Sequence, residues 1–343
     1  MSDGDVTDAP VGRIRNIGEL ARLAGVSTGT VSRALAGKSM VNRETRERIQ
    51  ALAQKHDFRL NQMARNLRTQ KTGVIGVVIP LGHDERQHIS DPFFMTMIGL
   101  LADRLTENGY DLMLSRVVPK DPDWLDRITT SGMLDGVLLI GQSDQFDTIE
   151  RVAANYKPLI VWGEHREGQV HCAIGTDNRA GGRLAAERLI ARGARRLAFL
   201  GDTGPPEMAG RCRGVQDAAT AAGLPDVEVM PTHLSTDAMV PDIDRHFKTI
   251  AGRIDGIVAA SDVIAMRSLR DLTDKKLNIP NDIAIVGFDD LPLAMHTVPR
   301  LTTIKQDLHR GATAMIDALF KRLTGEDTPS LVMSPELIVR DSA

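Results

Sequence analysis

Polar side chains that could bind a small molecule follow apolar runs in the second half of the chain. Arg211 begins a predicted helix after the segment GDTGPPEMAG, Ser261 follows IVAA, and Asp289 follows IVGF. A guanidinium group and a carboxylate provide paired donors and acceptors, which suit the neighbouring hydroxyl groups of a polyhydroxylated ligand. For each residue taken alone, a structural role is an equally good interpretation. Together they predict a site for such a ligand.

Aromatic side chains could supply the flat apolar wall against which a sugar ring packs. The chain has only 2 Trp, 2 Tyr and 8 Phe, so an aromatic residue beside a predicted strand end is informative. Phe93 lies in the segment DPFF, where Asp91 opens a predicted helix, and Trp162 ends the run LIVW. We expect Asp91, Phe93 and Trp162 to contact the same ligand.

Other motifs do not predict catalysis or cofactor binding. The segment GTVSRALAGKS ends like a phosphate-binding loop, but Ser32 stands where the first glycine is required. Two groups of histidine and acidic residues lack the spacing of metal sites. They are Glu164, His165 and His171, and His83, Asp84 and His88. We therefore predict no metal, no cofactor and no enzymatic activity.

A second set of chemically informative residues lies near the start of the chain. Residues 16–35, NIGELARLAGVSTGTVSRAL, read as two short helices joined by a turn at Gly25. Apolar residues recur at helical spacing, and Ser27 can cap the second helix. Arg33 is predicted on the free side of that helix, where it could donate two hydrogen bonds to a guanine edge. The pattern predicts a DNA-binding helix-turn-helix, with an ordinary helical hairpin as the alternative.

A third predicted helix completes this domain. Asn42 can cap a helix over residues 44–56, whose apolar face would close a three-helix core. We therefore place the DNA-binding domain at residues 13–58, after an acidic tail over residues 1–12.

Charge is divided unequally along the chain. The net charge is −3, yet residues 11–72 contain 13 Lys or Arg and 4 Asp or Glu, whereas residues 73–343 contain 29 and 38. A basic segment on an acidic body is typical of a protein that binds nucleic acid with one end.

Two further features bear on where the protein works. No apolar run is long enough to span a membrane, and the acidic N-terminus does not resemble a signal peptide, so we expect a cytoplasmic protein without a membrane partner. Cys172 and Cys212 form no CxxC pair and are expected to be free thiols.

Four consecutive segments resemble a known family. They are LARLAGVSTGTVSRALAG, VNRETRERI, FRLNQMARNLR and TGVIGVVIP. In these segments the chain resembles the lactose and galactose repressor (LacI/GalR) family of bacterial transcriptional regulators. The later segments TDNRAGGRLA, IAIVGFDDLPLA and RLTTIKQDL extend the resemblance over nearly the whole chain from Ile14.

The resemblance implies roles for residues of the N-terminal part. It implies base-reading residues in the second helix, phosphate contacts before the first helix, and a hinge helix within residues 59–72 whose leucine wedges into the minor groove. Gly29 departs from this pattern because it has no side chain to bind a base, and Leu60 replaces the usual proline of the hinge. The implied DNA-binding residues are Arg13, Thr28, Gly29, Thr30, Arg33, Asn42, Asn61, Arg65 and Leu67.

From residue 73 onward, apolar strands alternate with helices in two sets, which predicts two lobes built on doubly wound parallel sheets, with a cleft between them. The fold class is therefore an N-terminal all-α helix-turn-helix domain followed by a two-lobed α/β domain like the periplasmic binding proteins. The resemblance implies an N-lobe at about 73–174 and 306–331, and a C-lobe at about 175–305 and 332–343. The family's ligand positions match Arg211, Ser261, Asp289 and Gln306.

We expect a ligand-responsive regulator, most simply a repressor of carbohydrate-utilisation genes. A homodimer would bind a pseudo-palindromic operator in double-stranded DNA, and a sugar-like effector between the lobes would release it. Two alternatives stay open: a repressor that needs a corepressor, and a transport-type sugar-binding protein, against which the basic head and the missing signal peptide argue. Residues 81–90 form a longer loop than expected, in which His88 could contact the ligand.

Overall fold

The computed structural model describes residue 14, residues 16–35, 40–56 and 58, and residues 71–343. The chain divides between Thr72 and Gly73 into two compact units. Within the described residues, no helix combines the length and the apolar character that a membrane span needs.

The first unit contains three helices, α1 (Ile17–Ala24), α2 (Thr28–Leu35) and α3 (Arg43–Lys55). Gly25 ends α1 with φ 63°, a left-handed conformation that glycine adopts at little cost, and this turn redirects the chain into α2. The helix-turn-helix predicted from the sequence is confirmed. The apolar faces of the helices meet in a core of Leu20, Ala21, Ala24, Val31, Ala34, Val41, Ile49 and Ala53.

The N-lobe of the second unit is built around a sheet of six strands. The strands are β1 (Val74–Pro80), β2 (Asp111–Val117), β3 (Gly136–Ile140), β4 (Leu159–Trp162), β5 (Cys172–Thr176) and β11 (Leu331–Met333). Their order is β2-β1-β3-β4-β5-β11, and every pair is parallel. The helices are α4 (Pro92–Glu107), α5 (Trp124–Thr129), α6 (Phe146–Ala153) and α11 (Leu308–Leu323).

The C-lobe repeats this plan with one exception. Its strands are β6 (Leu197–Leu200), β7 (Glu228–Met230), β8 (Gly256–Ala259), β9 (Ala284–Asp289), β10 (Thr302–Lys305) and β12 (Glu336–Ile338). Their order is β7-β6-β8-β9-β10-β12, and the sheet is parallel as predicted except at its edge, where β12 is antiparallel to β10. The helices are α7 (Asn178–Ala191), α8 (Pro206–Ala221), α9 (Thr236–Phe247), α10 (Asp262–Asp274) and a 3-10 helix, Pro292–His296.

Helices cover both faces of the N-lobe sheet, which explains the continuous apolar runs in the sequence. Along β1, Ile75, Val77 and Ile79 pack in the core formed with α4 and α11. Val78 points to the other face and packs in the core formed with α5 and α6. This alternation is the two-residue period of a strand that is buried on both sides.

The chain passes between the two sheets three times: after β5, after β10 and between β11 and β12. Gln306 lies on the second passage, between β10 and α11. One predicted bound was wrong, because α8 begins at Pro206, about one turn before the expected start near Gly210. Proline has a fixed φ that suits the first turn of a helix, so Arg211 lies in the second turn of α8.

Candidate functional site

A cleft of about 680 Å³, including its open mouth, lies between the two lobes of the second unit. It is at the carboxyl ends of the parallel strands, where doubly wound folds bind ligands. Gln306 does not line the cleft but lies behind Asp289. The other predicted ligand-binding residues all line it: Asp91, Phe93, Trp162, Arg211, Ser261 and Asp289.

Arg211 and Asp289 form the charged centre of the cleft. Arg211 Nη1 lies 3.7 Å from Asp289 Oδ1, and both side chains are buried. Gln306 Nε2 donates a hydrogen bond of 2.7 Å to the same carboxylate oxygen. In this structure Gln306 therefore orients Asp289, and its direct contact with a ligand stays a prediction.

The backbone at Asp289 is strained. Asp289 ends β9 with φ 123°, a conformation that costs a non-glycine residue on the order of 1–3 kcal/mol, and Asp290 follows with φ 55°. Strain of this kind persists where the surrounding structure enforces it, often at binding sites. Burial raises the pKa of Asp289 to about 7, although Arg211 and Gln306 both act to lower it.

The guanidinium of Arg211 is held in place on several sides. Its Nε donates a 2.9 Å hydrogen bond to Asn178 Oδ1, and its Nη1 donates to the carbonyl oxygen of Ala260. The group also stacks over Phe288, with 3.7 Å between the guanidinium carbon and the ring centroid. Close packing of α7 on α8 supports this position, because a Cβ on Gly182 would lie 1.9 Å from the carbonyl oxygen of Arg211. Contacts within the protein thus hold the positive charge in place, and preorganisation of this kind lowers the entropic cost of binding a ligand.

The N-lobe contributes one carboxylate and an aromatic wall. Asp91 caps α4 by accepting a 2.9 Å hydrogen bond from the backbone N–H of Phe93, and burial raises the pKa of Asp91. The rings of Phe93 and Trp162 have centroids 6.5 Å apart, and Phe94 packs edge-on against Phe93 at 5.8 Å. This surface suits the apolar face of a sugar ring.

Ser261 and Asp262 follow β8 but have different surroundings. Ser261 lines the cleft and caps α10, since its Oγ accepts a 3.3 Å hydrogen bond from Ile264 N. Asp262 is fully buried, and its two carboxylate oxygens accept hydrogen bonds from Thr303 Oγ1 and from Leu291 N. Burial raises the pKa of Asp262 well above its usual value. Asp262 therefore supports the loop after β9.

The prediction did not include several polar residues of the cleft. His83 and Gln87 line it from the loop over residues 81–90, and His83 Nδ1 lies 2.7 Å from Ser143 Oγ, which anchors this loop beside the end of β3. Glu207 enters from the first turn of α8, four positions before Arg211. The spacing of Glu207 and Arg211 on one helix face was the available signal, whereas strand periodicity does not place loop residues.

The predicted base-reading residues lie on α2 in the first unit. Thr28 and Arg33 are exposed, and Gly29 and Thr30 are half-buried. Arg33 Nε donates a 3.1 Å hydrogen bond to the carbonyl oxygen of Gly29, so the guanidinium lies along the outer face of α2. A basic group on the exposed face of the second helix fits the helix-turn-helix interpretation.

Two polar side chains near this face act as helix caps. Ser27 Oγ accepts a 3.2 Å hydrogen bond from Thr30 N, and Asn42 Oδ1 accepts one of 2.8 Å from Thr45 N. The segment GVSTG around Ser27 has the letters of a hydrolase nucleophile motif, but that motif needs a strand before the serine, and here α1 precedes it. The remaining predicted DNA-binding residues lie outside the described part of the chain: Arg13, Asn61, Arg65 and Leu67.

Within the described ranges, no three His, Cys, Asp or Glu side chains are arranged to hold a metal ion. His171 is buried, and its Nδ1 lies 2.5 Å from Glu150 Oε1, so this histidine has a structural partner. Cys172 and Cys212 are both buried and free, as expected.

Comparison with known proteins decides the family. Residues 16–61 match the pattern described as "Bacterial regulatory proteins, lacI family", and residues 186–343 match "Periplasmic binding protein-like domain". The HTH-type transcriptional regulator CelR of Thermobifida fusca is 30% identical over 334 residues, which cover 94% of this chain and 96% of CelR. The chain belongs to the LacI family of bacterial regulatory proteins.

Solved structures agree with this membership of the LacI family. A transcriptional regulator CelR–cellobiose complex is 26% identical, with a TM-score of 0.68, and the match covers 96% of this chain and 100% of the other. The Lac repressor dimer bound to operator and the anti-inducer ONPF has a TM-score of 0.81 at 21% identity, with coverage of 96% and 99%. The predicted fold class, a helix-turn-helix domain followed by a two-lobed α/β domain, is confirmed.

Proposed function

We propose that this protein is a ligand-responsive transcriptional repressor of carbohydrate-utilisation genes. It binds operator DNA as a homodimer, and a sugar-like effector in the cleft releases it. The observation that carries the proposal is the preorganised pair Arg211 and Asp289, beside an aromatic wall, in a chain that begins with a helix-turn-helix. The relatives support it, since one solved relative is a transcriptional regulator CelR in complex with cellobiose, and the Lac repressor has been solved as a dimer bound to its operator.

The DNA-binding part of the proposal rests on α2. Thr28 and Arg33 are exposed on it, and a helix of this length fits the major groove. Two copies related by a two-fold axis then read the two halves of a pseudo-palindrome. We assign residues 13–58 to this function and residues 59–72 to the hinge, with Arg13, Asn61, Arg65 and Leu67 as further contacts.

The regulatory part of the proposal rests on the fact that both lobes contribute residues to the cleft. Phe93 and Trp162 come from the N-lobe, whereas Arg211, Ser261 and Asp289 come from the C-lobe. A ligand that contacts both sets stabilises one arrangement of the lobes, and differential binding to two states is what couples a ligand to another site. The same coupling with the opposite sign would make the ligand a corepressor.

We further propose that the cleft binds its ligand without converting it, and that the protein works in the cytoplasm, where its operator is. His83 and Ser143 resemble a base and a nucleophile, with 2.7 Å between Nδ1 and Oγ. However, Asp144 contacts the serine at 3.0 Å rather than the histidine, and Ser143 Oγ also accepts a hydrogen bond from the His83 backbone. In a catalytic triad the acid orients the histidine, so this cluster is better suited to anchoring the loop.

Selection from a pool of random DNA duplexes tests the proposed function. The full chain should enrich a two-fold symmetric sequence, whereas Arg33→Ala should prefer the selected duplex over a scrambled one less strongly than the natural chain does. Non-selective binding at low salt should change little in the variant, because it depends on phosphate contacts. Failure of the natural chain to enrich any symmetric sequence would overturn the proposal.

A further inference from the structure

The cleft contains more carboxyl groups than cationic groups. Asp91 faces it from the N-lobe, and Glu207 and Asp289 face it from the C-lobe. Arg211 is the single arginine or lysine among the residues described around the cleft. Three carboxyl groups and one guanidinium therefore line the cleft.

The guanidinium of Arg211 already has interaction partners within the protein. Arg211 donates to Asn178 and to the carbonyl oxygen of Ala260, stacks on Phe288, and lies 3.7 Å from Asp289. A phosphate or carboxylate on a ligand would have to compete with Asp289 for this charge. The presence of Arg211 is therefore not a reason to expect an anionic ligand.

Two buried acceptor atoms in the cleft have no partner among the described residues: Gln87 Oε1 and Glu207 Oε1. Gln87 is 2% exposed, and its Nε2 lies 3.4 Å from Asp91 Oδ2, which directs the amide oxygen away from Asp91. A buried acceptor without a donor is unfavourable, so each atom favours a ligand that supplies an O–H or N–H group. The two atoms belong to opposite lobes and could be satisfied by one molecule.

The carboxylates also repel further negative charge. Burial raises the pKa of Asp91 and of Glu207, so the cleft already disfavours negative charge at these two positions. An anionic ligand would add a like charge at the same place, where the screening by water is reduced.

We propose that the effector is a donor-rich sugar without negative charge, and that Glu207, with Asp91, is the determinant that excludes phosphorylated and acidic sugars. The inference rests on the proposed ligand site and narrows its ligand class. Glu207 and Gln87 accept hydrogen bonds from hydroxyl or ammonium groups, while the aromatic wall of Phe93 and Trp162 packs against the ring.

Calorimetric titration of the full chain with matched sugars tests this class. Neutral cellobiose is compared with anionic cellobionate. Neutral glucose and cationic glucosamine are compared with anionic glucose 6-phosphate and glucuronate. We expect binding to be confined to the uncharged or cationic members, with at least about tenfold weaker binding of each anionic partner, since one like charge at close range has an effect of this order. An anionic sugar that binds as tightly as its neutral counterpart overturns the inference, as does a panel in which no uncharged or cationic sugar binds.

The variant Glu207→Gln preserves the shape of the side chain and removes its charge. It should shift the ratio of neutral to anionic affinity toward the anion by about tenfold. Asp91→Asn retains a side chain that can cap α4 and should shift the ratio in the same direction, which keeps the test valid if one variant folds poorly. Glu187→Gln, on the exposed face of α7, is the matched control and should leave the ratio unchanged.

If the ratio of neutral to anionic sugar affinity is unchanged in both Glu207→Gln and Asp91→Asn, the inference is contradicted. Sequence-selective DNA binding is measured separately on the same proteins. An anionic effector that releases the DNA would therefore refute the ligand class and leave the repressor function intact.

Discussion

Replacing Asp289 with Asn should change the stability of the folded protein in a pH-dependent way, with the variant gaining stability relative to the natural chain as the pH rises. Burial raises the pKa of Asp289 from its usual 3.8 to about 7, so folding disfavours the ionised carboxylate. Between about pH 4 and 7 the unfolded chain releases this proton while the folded chain retains it, and the free energy of unfolding falls as the pH rises through that window. Asparagine has no proton to lose and still offers an oxygen to Gln306.

The expected magnitude follows from the pKa difference. From pH 5 to pH 8 the carboxylate of the unfolded chain is ionised throughout, whereas that of the folded chain becomes ionised only near pH 7. Over about two pH units, from pH 5 to pH 7, the two states therefore differ by one bound proton, and each unit lowers the free energy of unfolding of the natural chain by about 1.4 kcal/mol. The free energy of unfolding of Asp289→Asn should thus rise by about 3 kcal/mol relative to that of the natural chain. Asp289 is 4% exposed, so screening by solvent reduces this value little.

Urea denaturation at pH 5, 6, 7 and 8 measures the effect. Tryptophan fluorescence reports the unfolding of the second unit, because Trp124 and Trp162 are the 2 Trp residues of the chain and both lie there. Asp217→Asn is the control, since Asp217 is only partly buried and accepts hydrogen bonds from Arg179, which lowers the pKa of Asp217 and moves its effect to acidic pH. An advantage of Asp289→Asn that stays constant from pH 5 to pH 8 would refute the reasoning.

Four further substitutions have outcomes that the structure specifies. Gly182→Ala should destabilise the second unit by about 1–3 kcal/mol in urea, because a Cβ there meets the backbone of Arg211, whereas Gly99→Ala, in open space on α4, should stabilise it by up to about 1 kcal/mol. Asn42→Ala should lower the stability of the first unit by about 1 kcal/mol, measured by thermal melting of residues 1–72, because the cap of α3 is lost; an unchanged melting temperature would disprove this role. Arg33→Ala should lower the preference for the selected duplex over a scrambled one by about 1–3 kcal/mol in fluorescence anisotropy, and an equal loss on both duplexes would count against base reading.

Local signals in the sequence predicted much of the fold. Gly25 and the capping residue Asn42 mark the helices of the first unit, and the buried runs such as Val74–Pro80 mark the strands. These features depend on neighbours in the chain, so periodicity and capping reveal them. The antiparallel direction of the edge strand Glu336–Ile338 was not predicted. It depends on where the chain makes its last passage between the two sheets, which no local sequence pattern reveals.

The sequence predicted cleft residues that lie on or beside periodic helices and strands, and it did not predict those that a loop supplies. Asp289 follows an apolar run and Arg211 lies on a predicted helix, and the structure places their side chains 3.7 Å apart. His83 and Gln87 reach the cleft because Arg116 and Ser143 anchor their loop, and such long-range contacts leave no local pattern in the sequence. The place of Gln306 behind Asp289 likewise depends on packing.

Release of selected DNA by a bound sugar is the most direct test of the coupling between the cleft and the helix-turn-helix. The duplex enriched by the natural chain is titrated with protein at saturating sugar and without it, for the natural chain and for Arg211→Ala. The account predicts that the sugar weakens DNA binding of the natural chain by about 5- to 150-fold, the usual range of such coupling, and leaves that of Arg211→Ala unchanged. A sugar that saturates the cleft of the natural chain, shown by calorimetry, while its affinity for the duplex stays the same would contradict the account.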